Sequence, residues 1–398
     1  MALLHIEDPR KQVPPPRWAP FALGFRPFFL AAGLVAVLMM GLWLLVLRGS
    51  LTPSVLPPSI WHGHEMLFGF AVAVIAGFLL TATQNWTGIR MPSGTPLGAL
   101  FMLWLAGRLG FLIPGLPAWL VAGIDLAFLP VLALVLALPI LKARQLHNYP
   151  FPLMLLALAF ANALVHGDAL GWTSGTAQNG LRLAVYAVVA MITVMGGRVI
   201  PSFTDNKLGS RARRWKALER LLPVVTLGAL VAALIAPVSP LTAGFAALAA
   251  AMHGMRLAGW YTRTLWSVPL LWILHLGYAW IVMGLALLAL SAAGWSAAAS
   301  SALHAFTAGG IGVLTLGMMA RVSLGHSCRM LEPAPLMTLA FIAINCAALL
   351  RIALPLLDSA SYTAGIVVAG VVWMAAFGVF TALYMPILLR PRVDGKPG

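Results

Sequence analysis

The sequence predicts an all-α polytopic membrane protein, twelve transmembrane helices packed in one bundle, and three observations carry that prediction. Hydrophobic residues make up 61% of the chain and charged residues only 9%, against roughly 25% charged in a soluble domain. Mean hydropathy is +0.94, and the apolar residues gather into runs close to the roughly 20 that cross a bilayer as one helix. The basic residues are dense in every second connecting segment and sparse in the others.

Taken in order, the spans are expected near residues 27–48, 61–83, 94–114, 118–141, 151–171, 179–200, 218–237, 240–258, 267–291, 298–320, 334–356 and 361–388. The first opens at Pro27 in "FRPFFL", and the second follows "WHGHE". Spans three and four hold Arg108 and Asp125 in their outer halves. The fifth opens at Pro152 and ends past His166, and the sixth closes on "GGRVIPS". A very short turn, "APVSPLT", divides the seventh from the eighth, which contains His253. Span nine opens at Pro269 and contains His275; span ten runs from before His304 to "MARVSLGH"; span eleven carries Arg351. Residues 1–26 then form a cytoplasmic segment, 27–388 the membrane domain and 389–398 a cytoplasmic tail.

With both termini cytoplasmic, all of the 25 Lys and Arg residues fall toward the inner side except Arg48, Arg108, Arg182 and Arg351. That asymmetry sets orientation in a membrane. The net charge of +15 therefore reads as topology and lipid contact, not nucleic-acid binding, and the same holds for the basic loop "KLGSRARRWKALER". The opening "MALLHIEDPRKQVPPPRW" lacks an apolar core before a cleavage site, so no removable signal peptide is expected. Cys328 and Cys346 lie in a loop and a span and imply no disulfide framework.

Histidines are the chemistry-bearing residues. His62 and His64 lie at the outer end of span two and His166 near the outer end of span five. His304 lies about 9 Å inside span ten from the same surface. Glu65 and Asp168 are close by in sequence, offering a carboxylate to orient an imidazole or carry protons. His253 and His275 lie deeper, and His326 follows in an inner loop. A single buried histidine is usually a hydrogen-bonded packing residue, but several at matched depths make a functional-site candidate. Neutral imidazole suits haem iron and copper. On an ideal helix the two rings of "HGH" point about 200° apart, so one helix serves two neighbours unless its first turn is distorted.

An internal repeat is also suggested. "HEMLFGFAVAVIAG" and "HAFTAGGIGVLTLG" share His-x4-Gly-x7-Gly in spans two and ten, and spans one, five and nine open alike with proline. Three four-helix units would produce this, as would the ordinary use of proline at helix starts and of glycine in membrane packing.

The motifs "FALGFRPFFL", "WHGHEMLFGFAVAVIAGFLLTATQNWTG", "MGGRVIPSFT", "PLLWILHLGYAWI" and "LHAFTAGGIGVLTLGMMARVSLGHS" resemble the NnrS family of bacterial membrane proteins along nearly the whole chain. The resemblance implies a haem- and copper-containing inner-membrane protein linked to nitric oxide metabolism and nitrosative stress. It also implies b-type haem and copper as cofactors, and His62, His64, His166, His253, His275, His304 and His326 as their ligands. Where the last motif is expected to continue Thr-Gly after "LGH", this chain has Ser327 and Cys328, which puts the role of His326 in question. A fainter similarity to the catalytic subunit of haem–copper oxidases and nitric oxide reductases concerns architecture alone, because spans six and seven hold no histidine.

Arg198 and Arg321 at inner span ends either snorkel to the inner surface or pair with haem propionates or gather anions near His253 and His275, whereas Arg108, Asp125 and Arg351 in outer halves pair with one another or with the propionates of an outer haem. The expected partners are nitric oxide or a nitrosyl species and the lipid bilayer. No haem-attachment CxxCH motif or soluble cofactor module identifies an electron donor, so an oxidoreductase, a sensor and a scavenger all stay open. A secondary transporter of an anion or metal complex would use the same buried His and Arg for substrate and protons. A haem or copper storage or delivery protein would bear the same ligands.

Overall fold

A segment alone in lipid must satisfy its backbone N–H and C=O groups internally, so unbroken apolar runs become helices. The computed structural model describes residues 18–53, 55–357 and 362–396, and among these it has no strand. Most of the expected N-terminal segment, residues 1–17, and the last two residues of the tail lie outside the described residues. Twelve long helices follow in order: α1 Phe25–Leu47, α2 Pro58–Thr87, α3 Thr95–Gly110, α4 Ala118–Lys142, α5 Pro150–Ala169 and α6 Ala177–Leu208. Then come α7 Lys216–Ile235, α8 Pro240–Trp260, α9 Pro269–Ala292, α10 Ala298–His326, α11 Pro335–Leu357 and α12 Tyr362–Leu389.

Ten of these are long and apolar enough to cross a membrane; α3 and α8 are not among the ten. The chain is thus a multi-pass membrane protein, with ten such helices among the described residues where twelve spans were expected. Span three was expected to reach residue 114, but α3 stops at Gly110, after 16 residues. Pro114 disfavours helix at the residue before it, and the chain turns at Gly115, whose φ is +82°. Helix α8 is long enough at 21 residues, but it is alanine-rich and includes His253 and Arg256, which lower its apolarity.

Both described ends of the chain meet at one end of the bundle. Ala19 N–H donates to Leu389 C=O at 2.8 Å, and the fully buried Arg26 guanidinium donates to the carbonyls of Leu388 and Arg390 at the close of α12. Val393 N–H reaches Ser327 C=O after α10 at 3.3 Å. This is the arginine end; the opposite one, where α2 begins, is the histidine end.

Helices α2, α6 and α10, four apart in sequence, meet in the interior and line two cavities there. The central stretches of α2 and α10 are 78% and 67% buried, the two highest values among the ten. Both break regularity at matched positions. The backbone widens into a π-helical segment at Glu65–Ala71, directly after His64, and at Ala305–Val313, directly after His304. Such segments insert a residue into the helix and recur at functional sites. Glycines permit the close packing there: a Cβ on Gly309 would lie 2.6 Å from Trp280 of α9.

Candidate functional site

The first site is a buried polar cluster at the histidine end, built by α2, α3, α4 and α5. His64, Glu65, Arg108, Asp125, Asn162 and His166 are all buried. Arg108 donates to Glu65 Oε1 at 2.7 Å and pairs through its other terminal nitrogen with Asp125. Asn162 Nδ2 donates to Asp125 Oδ2 at 2.8 Å, and His166 Nε2 lies 2.9 Å from the same oxygen. His64 has carboxylate oxygens at both ring nitrogens, Glu65 Oε1 at 3.0 Å and Asp125 Oδ2 at 3.1 Å. Gly107 makes the approach of α3 to α4 feasible, since a Cβ there would stand 2.9 Å from Asp125 Oδ1.

Two chemical facts follow. A neutral imidazole donates from only one nitrogen, so two carboxylates flanking His64 call for a second proton or a metal cation in place of one contact. One cation, Arg108, also faces two carboxylates, leaving an excess negative charge in a buried setting. Ligand atoms of His64, Asp125 and His166 all lie within 4.8 Å of one another, the one group of metal-ligating side chains found among the described residues. Two imidazoles and a carboxylate are a donor set for iron, copper or zinc.

The second site is a cavity of about 410 Å³ between α1, α2, α6, α10, α11 and α12, open past the exposed Ser59 and Gln178. His62 and His304 both line it. His304 is anchored by its Nδ1–H, which donates to Ser300 C=O at 2.8 Å, so Nε2 is the nitrogen that could ligate a metal. His62 stacks on Trp43 with ring centroids 4.4 Å apart, and its Nδ1 is buried without a partner. Arg182 and Arg351 contribute the positive charge. Arg351 reaches Tyr362 Oη at 3.4 Å through one nitrogen, while its Nη1 is buried and unpaired. The two rings of "HGH" therefore serve different sites, His64 the polar cluster and His62 the cavity.

The other expected site residues fall elsewhere. Asp168 takes no part in the histidine cluster: its carboxylate accepts from Gly175 N–H at 2.8 Å and Ala177 N–H at 3.1 Å, closing the loop before α6. A carboxylate held by backbone donors at a helix start is a capping group. His253 has both nitrogens engaged, Nδ1 with Tyr278 Oη at 2.6 Å and Nε2 with Thr226 Oγ1 at 2.9 Å. Arg256 extends that network to Tyr278 at 3.0 Å, Thr193 C=O at 2.8 Å and Glu219. His275 Nδ1–H donates to Leu271 C=O at 3.0 Å, and its Nε2 is buried without a partner. His326 lies at the arginine end against Phe25, far along α10 from His304. Arg198 is committed to Asn148 Oδ1 at 2.8 Å and His147 C=O at 2.7 Å, and Arg321 stacks over Phe203 at 3.9 Å. At that end Arg392 holds the Asp394 carboxyl well below its usual range by a direct hydrogen bond.

Sequence reasoning missed Asn162 and Arg182. Asn162 stands four residues before His166, on the same helix face, and that polar i,i+4 pair was the available signal. Arg182 was read only as a basic residue on the sparse side.

These features define a multi-pass helical membrane protein with a buried histidine–carboxylate cluster beside an amphipathic chamber. A family model described as NnrS protein matches residues 19–392. The chain belongs to the NnrS family, a membership that suggests a membrane protein related to nitric oxide. No curated protein matches it.

Proposed function

We propose that this chain is a haem- and copper-containing protein of the bacterial inner membrane, with both termini cytoplasmic. Within it, residues 27–388 form one membrane domain in which α3 and α8 complete twelve spans. It binds or reacts with nitric oxide or a nitrosyl species at histidine-ligated centres and serves the response to nitrosative stress. The observation that carries this is the chamber at the histidine end. It combines two imidazoles with aromatic walls and two arginines, one of which keeps a buried, unpaired nitrogen.

A b-type haem is planar, apolar on its faces and anionic at its propionates, and this donor set suits all three properties. His62 and His304 would ligate the iron, with Arg182 and Arg351 toward the propionates. Haem iron, when bound, would supply the affinity for nitric oxide. Trp43 holds the His62 ring by stacking, and Ser300 fixes which nitrogen of His304 is free. Fixing the ring by its second nitrogen is how proteins orient a histidine ligand.

Copper suits the His64–Asp125–His166 set, because a cation there satisfies both crowded nitrogens and offsets the excess carboxylate. Glu65 and Arg108 would orient those ligands. Arg198, Arg321, His253, His275 and His326 have structural or unassigned roles in this picture.

The test is an absorption spectrum of the detergent-purified protein, oxidised and reduced, before and after nitric oxide, with iron and copper counted on the same sample. A haem spectrum that shifts with nitric oxide, with copper beside iron, is expected. A folded protein that is colourless and metal-free would replace this reading with a transporter.

A further inference from the structure

Below the histidine chamber lies a smaller apolar cavity, of about 110 Å³, partly open at its side and lined by α2, α6 and α10 together with Phe29 of α1 and Leu274 of α9. Ala71 and Ile75 of α2, Val188 and Met195 of α6, and Ile311 and Met318 of α10 line it. The one polar side chain on its wall is Thr315, and that hydroxyl is spent on Gly312 C=O at 3.0 Å. A buried water needs two to four polar partners, and apolar cavities on the order of 150 Å³ stay dry and take up xenon or benzene. This one offers water a single acceptor, the Thr315 oxygen, which is fewer than a buried water needs.

Its position matters as much as its lining. Ile311 borders both cavities, Phe70 faces the chamber while Ala71 faces the apolar space, and Val185 and Val188 divide between them one turn apart on α6. Ala71 and Ile311 also belong to the two π-helical segments. The irregular stretches of α2 and α10 thus form the partition between the spaces.

We propose that this cavity is a docking site for a small apolar gas molecule, and the last station on a route through the apolar interior to the His62–His304 chamber. The identity of the gas as nitric oxide rests on the function proposed above; the site itself does not. A gas that partitions into lipid needs no polar gate, and a dry space beside the chamber raises its local concentration there.

The experiment uses the full chain in nanodiscs and xenon as probe. Xenon-129 exchange, or anomalous scattering from crystals under xenon pressure, should locate one atom among Ala71, Val188 and Ile311. Val188→Phe should abolish that signal, and the milder Ala71→Val should weaken it at least threefold, with helical content and metal content unchanged. Rebinding of nitric oxide after photolysis should slow about tenfold in Val188→Phe. No xenon at this position, or an acyl chain that xenon does not displace, would overturn the docking site. Unchanged rebinding in a variant that has lost xenon would overturn the route. A protein that binds xenon but contains no haem would leave the docking site standing and remove the proposed function instead.

Discussion

Replacing Arg108 with glutamine takes away the cation that faces both Glu65 and Asp125, and leaves two buried carboxylates with no positive partner between them. Removing one member of a buried ion pair costs about 3–5 kcal/mol, because the remaining charge stays desolvated. Replacing Asp125 with asparagine is different. Arg108 keeps its 2.7 Å contact with Glu65, the excess negative charge disappears, and a side-chain oxygen remains for Asn162 or an imidazole. The loss is then that of charge-assisted hydrogen bonds, about 1.5–3 kcal/mol. Arg108→Gln should therefore be more destabilising than Asp125→Asn by roughly 2 kcal/mol. The assay is unfolding of the metal-free, full-length protein in mixed micelles, followed by tryptophan fluorescence against denaturing detergent. The double variant closes a cycle whose coupling should exceed about 1 kcal/mol. Equal costs for the two single variants, or additivity within about 0.5 kcal/mol, would refute the charge balance derived for this cluster.

Three other outcomes are expected. His304→Ala should remove most haem absorbance from an inserted, folded protein, whereas His253→Ala, whose ring is closed off by Tyr278 and Thr226, should leave it; equal haem in both contradicts the chamber assignment. Cys328 adopts a left-handed backbone, φ +61°, so Cys328→Gly should raise stability by about 1 kcal/mol, read as a higher melting temperature; a lower one shows that the thiol's contacts outweigh the strain. Arg392 depresses the Asp394 pKa in the folded protein below its ordinary 3.8, so the contribution of that contact is present at neutral pH and fades as pH falls below the ordinary value. Melting temperatures of the parent and Asp394→Asn should differ at pH 7 and converge in acid, and a gap that widens in acid would reverse the sign.

Much of the molecule was legible before any packing was known. Composition dictated membrane helices, and all twelve long helices lie close to the apolar runs that announced them. A segment alone in lipid satisfies its backbone groups only as a helix. Helical periodicity alone separates His62 from His64, and the motifs alone pointed to the NnrS family. The shared His-x4-Gly-x7-Gly of α2 and α10 marked the two helices that carry π-helical segments.

Partner choice was not legible. Asp125, Arg108, His64 and His166 come from four helices, and hydropathy gives each its depth but not its rotation about the helix axis. Only the packing of α3 on α4, set by Gly107, turns Arg108 onto Asp125. Nothing in the sequence distinguishes His253, sealed by two hydroxyls, from His304, whose free nitrogen faces open space. Nor does it show that Asp168 caps a helix instead of serving an imidazole. Local sequence sets which residues are costly to bury; tertiary packing decides which of them satisfy one another and which are left facing a cavity.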